Sequence, residues 1–517
     1  MANPLHDALF APLAGRDRPL LHLPGGGEVS GRAFAAMCAH AAHALTAAGL
    51  RAGDRVVVQA AKTPAMLAVY GGAVAAGVVL LPLNTAYTPE EVGYFLEDSG
   101  AGLLLADPAA AVALAPVAAR CGVRLETLGG PGGPAGSFEL LCAAAPDRFE
   151  AVARGPDDLA ALLYTSGTTG RSKGAMLTQE NLLSNTRVLT EAWRFTEADV
   201  LLHALPVFHT HGLFVATNVA LLAGASMIFL PGFDRDAVIA ALPQATAMMG
   251  VPTFYTRLLD DPRLTRERTA HMRLFVSGSA PLLAETHAAW KARTGHAILE
   301  RYGMTETNMI ASNPYDGARR PGTVGFALPG VELRIADPGT GAELAAGETG
   351  VIEVRGPNVF AGYWRMPEKT AAEFRADGFF ITGDLGRIDA EGYLCIVGRQ
   401  KDLIITGGFN VYPREVEQLL DEAAGVRESA VIGVPHPDFG EAVLGVLVPE
   451  GGSAPDMAAI AAGLQDRIAR FKQPKALVTL PELPRNAMGK VQKNLLRDRF
   501  AAYFAPPGVG GERGPDA

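Results

Sequence analysis

Tyr164-Thr165-Ser166-Gly167-Thr168-Thr169-Gly170-Arg171-Ser172-Lys173-Gly174 is the stretch on which the fold turns. The apolar run at residues 159–163 leads into it and predicts a buried strand opening into a loop. Thr165 to Gly174 holds five Ser/Thr hydroxyls, three glycines and Lys173. Glycine lets backbone N–H groups approach and point at an anion, hydroxyls donate further hydrogen bonds, and the lysine adds positive charge. That is the make-up of a phosphate cradle. The GxxxxGK[ST] spacing of a Walker loop is absent. A flexible Gly/Ser/Thr linker is the plain alternative, but linkers seldom open straight from a buried strand.

Outward from the loop, short apolar runs at 56–58, 103–105, 227–230 and 274–276 alternate with helix-like segments at 89–96 and 283–294. Strands alternating with helices predict an α/β fold, layered, with largely parallel sheets. Toward Val324 the texture changes: short strands at 331–335, 350–354 and 393–397, set between Gly and Pro turns, predict a small β-rich section. After Gly398-Arg399-Gln400-Lys401 a second unit is expected. It has a helix starting at Tyr412-Pro413-Arg414-Glu415-Val416-Glu417, a strand at 430–434 and an amphipathic helix at 457–471. The expected organisation is a large N-terminal domain of layered α/β subdomains plus the β-rich section (1–399), then a small mobile α+β C-terminal domain (400–505). The Gly-, Pro- and charge-rich tail at 506–517 is expected to be disordered.

At 517 residues the chain exceeds the size at which one core keeps growing, so two or more domains are expected. A formal net charge of -9 argues against nucleic acid as a partner, because a phosphate backbone needs a basic face. Cys38, Cys121, Cys142 and Cys395 lie far apart with no CxxC pair, which predicts buried free thiols rather than disulfides or zinc. Residues 65–83 carry no charge and are long enough to suggest a membrane span. Gly71, Gly72, Gly77 and Pro82 fit better with a buried helix ending near Gly77 and a strand at 78–81. Residues 1–20 hold no signal-like apolar run, so a cytoplasmic protein without a membrane span is expected.

The loop at 165–174 resembles the signature of the adenylate-forming superfamily: acyl-CoA synthetases, luciferases and the adenylation domains of peptide synthetases. Further stretches match that superfamily in order. They are Ser277-Gly278-Ser279-Ala280-Pro281, Tyr302-Gly303-Met304-Thr305-Glu306, Thr382-Gly383-Asp384, Gly398-Arg399 and Pro484-Arg485-Asn486-Ala487-Met488-Gly489-Lys490. The resemblance implies an enzyme that uses ATP to convert an acid to an acyl-adenylate and then passes the acyl group to coenzyme A. It implies that Thr165, Ser166, Gly167, Thr168, Thr169, Gly170 and Lys173 hold the phosphates of ATP. Gly278, Ser279 and Ala280 would line the adenine pocket, and Tyr302, beside Gly303, would pack on the base. Thr305 would bind the α-phosphate and Glu306 would hold Mg²⁺, a cation that favours hard oxygen ligands and keeps substrate phosphates among them. Asp384 would accept the ribose hydroxyls and Arg399 would contact ribose and phosphate. Lys401 would be the hinge of the small domain. Lys490 would reach the reacting centre and neutralise charge as it builds. Taken singly, Glu306 reads as a helix N-terminal carboxylate, Ser277 to Pro281 and Asp384 as turns, and Lys490 as a solvated surface lysine.

Two features bear on the acid. Arg301 directly precedes Tyr302, and an arginine beside an acyl pocket is costly unless an anion pairs with its fork. Pro206-Val207-Phe208-His209-Thr210-His211-Gly212 puts His209 at the pocket-wall position, and His211 is read as structural. Residues 208–218, 299–308 and 356–360 resemble malonyl-CoA synthetases. That resemblance implies malonate, with methylmalonate left open, held at its distal carboxylate by Arg301 and His209. The partners expected are thus malonate, ATP and CoA, with the oligomeric state not legible. Two alternatives stand beside this: a medium-chain or aryl acyl-CoA ligase with Arg301 facing outward, and an adenylating ATP-binding module without CoA transfer.

Overall fold

The run ahead of the cradle loop is the strand Leu159–Thr165, and it pairs antiparallel with Lys173–Thr178, Thr165 lying opposite Lys173. These two strands form a hairpin that holds the two ends of the loop side by side. The computed structural model describes residues 2–130, 132–165, 172–406, 409–465, 467–486 and 489–504. Ser166, Gly167, Thr168, Thr169 and Gly170, and the tail at 506–517, lie outside them.

The hairpin closes one edge of a six-stranded sheet whose other strands, Arg55–Gln59, Val79–Pro82, Leu103–Ala106 and Arg124–Thr127, run parallel. Val56, Val57, Leu104 and Leu105 are fully buried, as expected where helices cover both faces of a parallel sheet. A nine-stranded sheet holds Val200–His203, Ala247–Gly250, Leu274–Ser277 and Leu299–Met304 as parallel neighbours. Asn308–Ser312 then turns back antiparallel. Both sheets belong to one compact unit, Met1–Leu333 with Val354–Phe380.

The uncharged stretch at 65–83 resolves as expected. Thr63 caps the helix Pro64–Ala76 by accepting from the Met66 N–H, and Gly77 ends it in the left-handed region at φ 70°. The strand Val79–Pro82 follows. A side chain at Gly72 would sit 2.7 Å from Ala41 Cβ, so glycine lets this helix press against Gly31–Ala47. No described helix is long and apolar enough to cross a membrane. None of the four cysteines forms a disulfide among the described residues, but only Cys38 is buried; the other three are half-buried, because they sit on helix ends and an edge strand rather than between layers.

The second unit comprises Arg334–Glu353 and Ile381–Ala517. The β-rich section forms a four-stranded sheet in the order Glu332–Ala336, Gly350–Arg355, Phe380–Ile388, Leu394–Arg399. Beyond it, Val426–His436 and Gly440–Pro449 anchor a five-stranded sheet packed by the helices Pro413–Asp421, Met457–Gln465 and Lys493–Phe500. The helix expected over 457–471 stops at Gln465. Farther on, Phe471 stacks on Phe409 at 4.8 Å, a tertiary contact that draws this stretch off the helical path.

Candidate active site

The hairpin Leu299–Met304 and Asn308–Ser312 carries Arg301, Tyr302, Gly303, Thr305 and Glu306. Its turn is tight: Asn308 adopts φ 49°, and a side chain at Gly303 would come within 2.1 Å of the Asn308 carbonyl. Glu306 is held buried on this turn. Thr165 Oγ1 donates to Glu306 Oε1 at 3.4 Å, and the Tyr363 hydroxyl lies 3.1 Å from the same oxygen. That hydroxyl is also 2.7 Å from Glu373 Oε2, so one phenolic proton serves two carboxylates. Burial, then Glu306 and Glu373, push the Tyr363 phenol well above its ordinary range. Lys173 Nζ pairs with Glu373 Oε1 at 3.3 Å and lies 4.1 Å from the centre of the Tyr363 ring. Thr165, Lys173 and Glu306 thus come together as expected, bridged by Tyr363 and Glu373. Neither bridging residue was expected, and no local pattern flags them: they reach the hairpin across the fold.

Arg301 is buried, pointing to the Gly278 side. A side chain at Gly278 would sit 2.4 Å from the guanidinium carbon, so the glycine is what admits the arginine fork. Ser279 takes the left-handed conformation at φ 71°, rare for a residue with a side chain, and its Oγ is 3.2 Å from His211 Nδ1. Arg301 Nε and Nη2 and His211 Nε2 are buried with no hydrogen-bond partner among the described residues. Burial drives the Arg301 pKa down to about 9, and burial and then Arg301 hold His211 well below its usual range. His209 is also driven down, to about 4, by burial. Its ring lies 5.2 Å from Phe208, whereas the imidazole that feels Arg301 is His211. His211, read as structural from the sequence, is thus the histidine whose charge state Arg301 influences. Its spacing of two from His209 was the available signal, but only the turn into the π-helical segment His211–Thr217 brings it to Arg301.

In the second unit, Asp384 is buried on Phe380–Ile388, facing Arg399 across the ladder, with Arg399 Nε 2.9 Å from its Oδ1. Gly383 beside it has φ 69°, which turns the strand at this point. Lys401 is exposed on the single turn Gln400–Asp402, whose Asp402 pairs with Arg497. Lys490 closes a turn in which its N–H donates to Asn486 Oδ1 at 3.0 Å. Burial, followed by Arg399, lowers its pKa to about 8 against the opposing pull of Asp384. Asp384, Arg399, Lys401 and Lys490 thus share one electrostatic neighbourhood.

The family model for AMP-binding enzymes matches residues 13–364, and the model for their C-terminal domain matches residues 415–490. The crystal structure of ATP-bound MatB from Rhodopseudomonas palustris superposes with a TM-score of 0.95 at 56% identity, covering 98% of this chain and 100% of that one. A malonate–CoA ligase of Arabidopsis thaliana is 36% identical over 477 residues, 86% of this chain and 78% of the plant protein. A feruloyl-CoA synthase from an Amycolatopsis species is 38% identical over 467 residues, 89% of this chain and 92% of that protein.

Proposed function

The chain belongs to the AMP-binding enzyme family, and from that premise we propose that it is an AMP-forming malonate–CoA ligase. The observation that carries the choice of acid is the buried Arg301 fork, whose Nε and Nη2 lack a partner among the described residues, as does Nε2 of His211, the imidazole that Arg301 perturbs. A desolvated guanidinium costs several kcal/mol, on the order of the penalty for any buried ion, unless an anion meets it. A malonate dianion has one carboxylate to react and a second to pair with Arg301 and His211. His209 forms the neighbouring wall. The name of the plant relative agrees with this reading.

In the first half-reaction the near carboxylate of malonate attacks the α-phosphorus of ATP, and pyrophosphate leaves. Two anions approach one another, so Lys173 and Lys490 offset their repulsion as charge builds. Thr305 donates to the α-phosphate, Tyr302 and the segment at 278–280 bracket the adenine, and Asp384 with Arg399 holds the ribose. The hydroxyls of Thr165 and its neighbours in the loop cradle the remaining phosphates. Thr165 Oγ1 and the Tyr363 hydroxyl, with the Glu373 carboxylate beyond it, set oxygens beside Glu306. That set fits Mg²⁺, which keeps water and substrate phosphates as ligands, with Glu306 holding it. The ion would neutralise phosphate charge when bound. In the second half-reaction the CoA thiolate attacks the acyl carbonyl and AMP leaves, after the C-terminal domain turns about Lys401 and withdraws Lys490. Residues 400–505 are the moving part in this reading. The cytoplasm, which supplies ATP and CoA, is the matching location.

The feruloyl-CoA synthase relative keeps an aryl acid in view. An aryl or medium-chain pocket, however, requires Arg301 to face outward, and it is 4% exposed. AMP formation with a panel of malonate, methylmalonate, acetate, octanoate and ferulate tests the reading. Malonate should give the highest kcat/KM, and AMP should appear with a thioester only when CoA is present. A higher kcat/KM for octanoate or ferulate would refute the choice of acid.

A further inference from the structure

Lys62 is a lysine with only 7% of its surface exposed, in the loop between the strand Arg55–Gln59 and the helix Pro64–Ala76. The loop is fixed at both ends: Ala61 N–H donates to Asp107 Oδ1, and Thr63 caps the helix. From there the side chain crosses from the six-stranded to the nine-stranded sheet. Nζ lies 2.8 Å from His203 Nδ1, 2.7 Å from the His203 carbonyl and 4.4 Å from the centre of the Phe229 ring. His203 is 1% exposed at the end of Val200–His203.

The partners fix the protons. His203 Nε2 is 2.9 Å from the Gly212 carbonyl, which can only accept, so Nε2 carries a hydrogen. The Thr217 hydroxyl donates to the same carbonyl at 2.9 Å and lies 3.1 Å from His203 Nε2. Burial holds both the lysine and the imidazole toward their neutral forms. Nδ1 of the neutral ring is then an acceptor, and Lys62 is its donor. A single directional chain runs from Lys62 through His203 to the backbone of Gly212.

Gly212 follows His211, and a side chain there would sit 2.0 Å from the Pro206 carbonyl, so the segment has no slack. We propose that Lys62 and His203 are positioning residues for acid selection: by holding the Gly212 carbonyl they set where His211 stands beside Arg301. The proposal rests on the malonate reading of that pocket. Their own side chains are spent on one another and on the backbone, so they act on the acid through His211.

The test compares the full chain with Lys62→Met, His203→Leu and His203→Gln, varying malonate and MgATP separately. Lys62→Met and His203→Leu should raise the KM for malonate about tenfold, with the KM for ATP within about twofold. His203→Gln keeps an amide donor for Gly212 and should bring the malonate KM back to within about threefold of wild type. Rises in both KM values together, an unchanged malonate KM, or a Gln variant as impaired as Leu overturns the proposal. Should Lys62→Met not fold, the contrast between His203→Leu and His203→Gln decides. A wild-type chain that does not prefer malonate to propionate overturns the substrate reading instead, before any variant is compared.

Discussion

At the scale of single residues, selection and nucleotide binding rest on different buried charges, and substitution should separate them. Arg301→Ala removes the fork proposed to meet the distal carboxylate. Discrimination of malonate over propionate should fall by about 2–5 kcal/mol in kcat/KM, while Arg301→Lys, a point charge in place of a planar fork, recovers only part. Tyr363→Phe acts elsewhere: Glu306 and Glu373 lose the hydroxyl that lies 3.1 and 2.7 Å from them. One buried and one half-buried carboxylate without that donor repel, so MgATP binding by titration calorimetry should weaken about tenfold while the malonate KM holds. Arg301 was legible because an arginine before Tyr302 is chemically conspicuous. Tyr363, Glu373 and His211 were not, since their roles come from which strands and helices happen to meet. Gly278 was legible as a small residue, but what fills its space is the Arg301 guanidinium.

Secondary-structure elements follow the same rule, in that those written in local code were readable. The helix Pro64–Ala76 has its Thr cap, its proline at the start and its glycine stop in sequence. The helix expected to reach residue 471 ends at Gln465, and the stacking of Phe471 on Phe409 is not visible in periodicity. Gly77 and Gly25 allow a matched experiment, because both have positive φ, 70° and 84°. A side chain at Gly77 would also lie 3.0 Å from Arg154 Cδ and 3.1 Å from Ala52 Cβ, whereas nothing lies within 4 Å of one at Gly25. Gly25→Ala should cost about 1 kcal/mol from backbone strain alone, and Gly77→Ala about 1–2 kcal/mol more, read from the midpoint of urea unfolding. Equal shifts would mean that the surroundings of Gly77 yield freely.

For the molecule as a whole, sequence places a break near residue 400, while packing gathers Arg334–Glu353 with Ile381–Ala517. The difference is one of kind: a linear reading marks where the chain changes texture, and strand pairing joins pieces far apart in sequence. Asp384, Arg399, Lys401 and Lys490 fall together in that second unit, and there the proposed reaction would acquire its pH dependence. Burial and Arg399 hold the Lys490 pKa down at about 8, so the free enzyme loses this ammonium as pH rises through that value. In the proposed mechanism adenylation requires the charged form, so its kcat/KM should be flat near pH 7 and decline above about 8; kcat/KM reports the free enzyme. Lys490→Arg keeps the charge at any accessible pH and should move that decline upward, at some cost in rate from the bulkier head. Thioester formation from supplied malonyl-adenylate should show no such decline at pH 8 and should survive Lys490→Ala, because in the proposed cycle the thiol attacks only after the lysine has withdrawn. An identical pH profile for the two half-reactions would mean that Lys490 serves both, and that withdrawal about Lys401 is not part of the cycle.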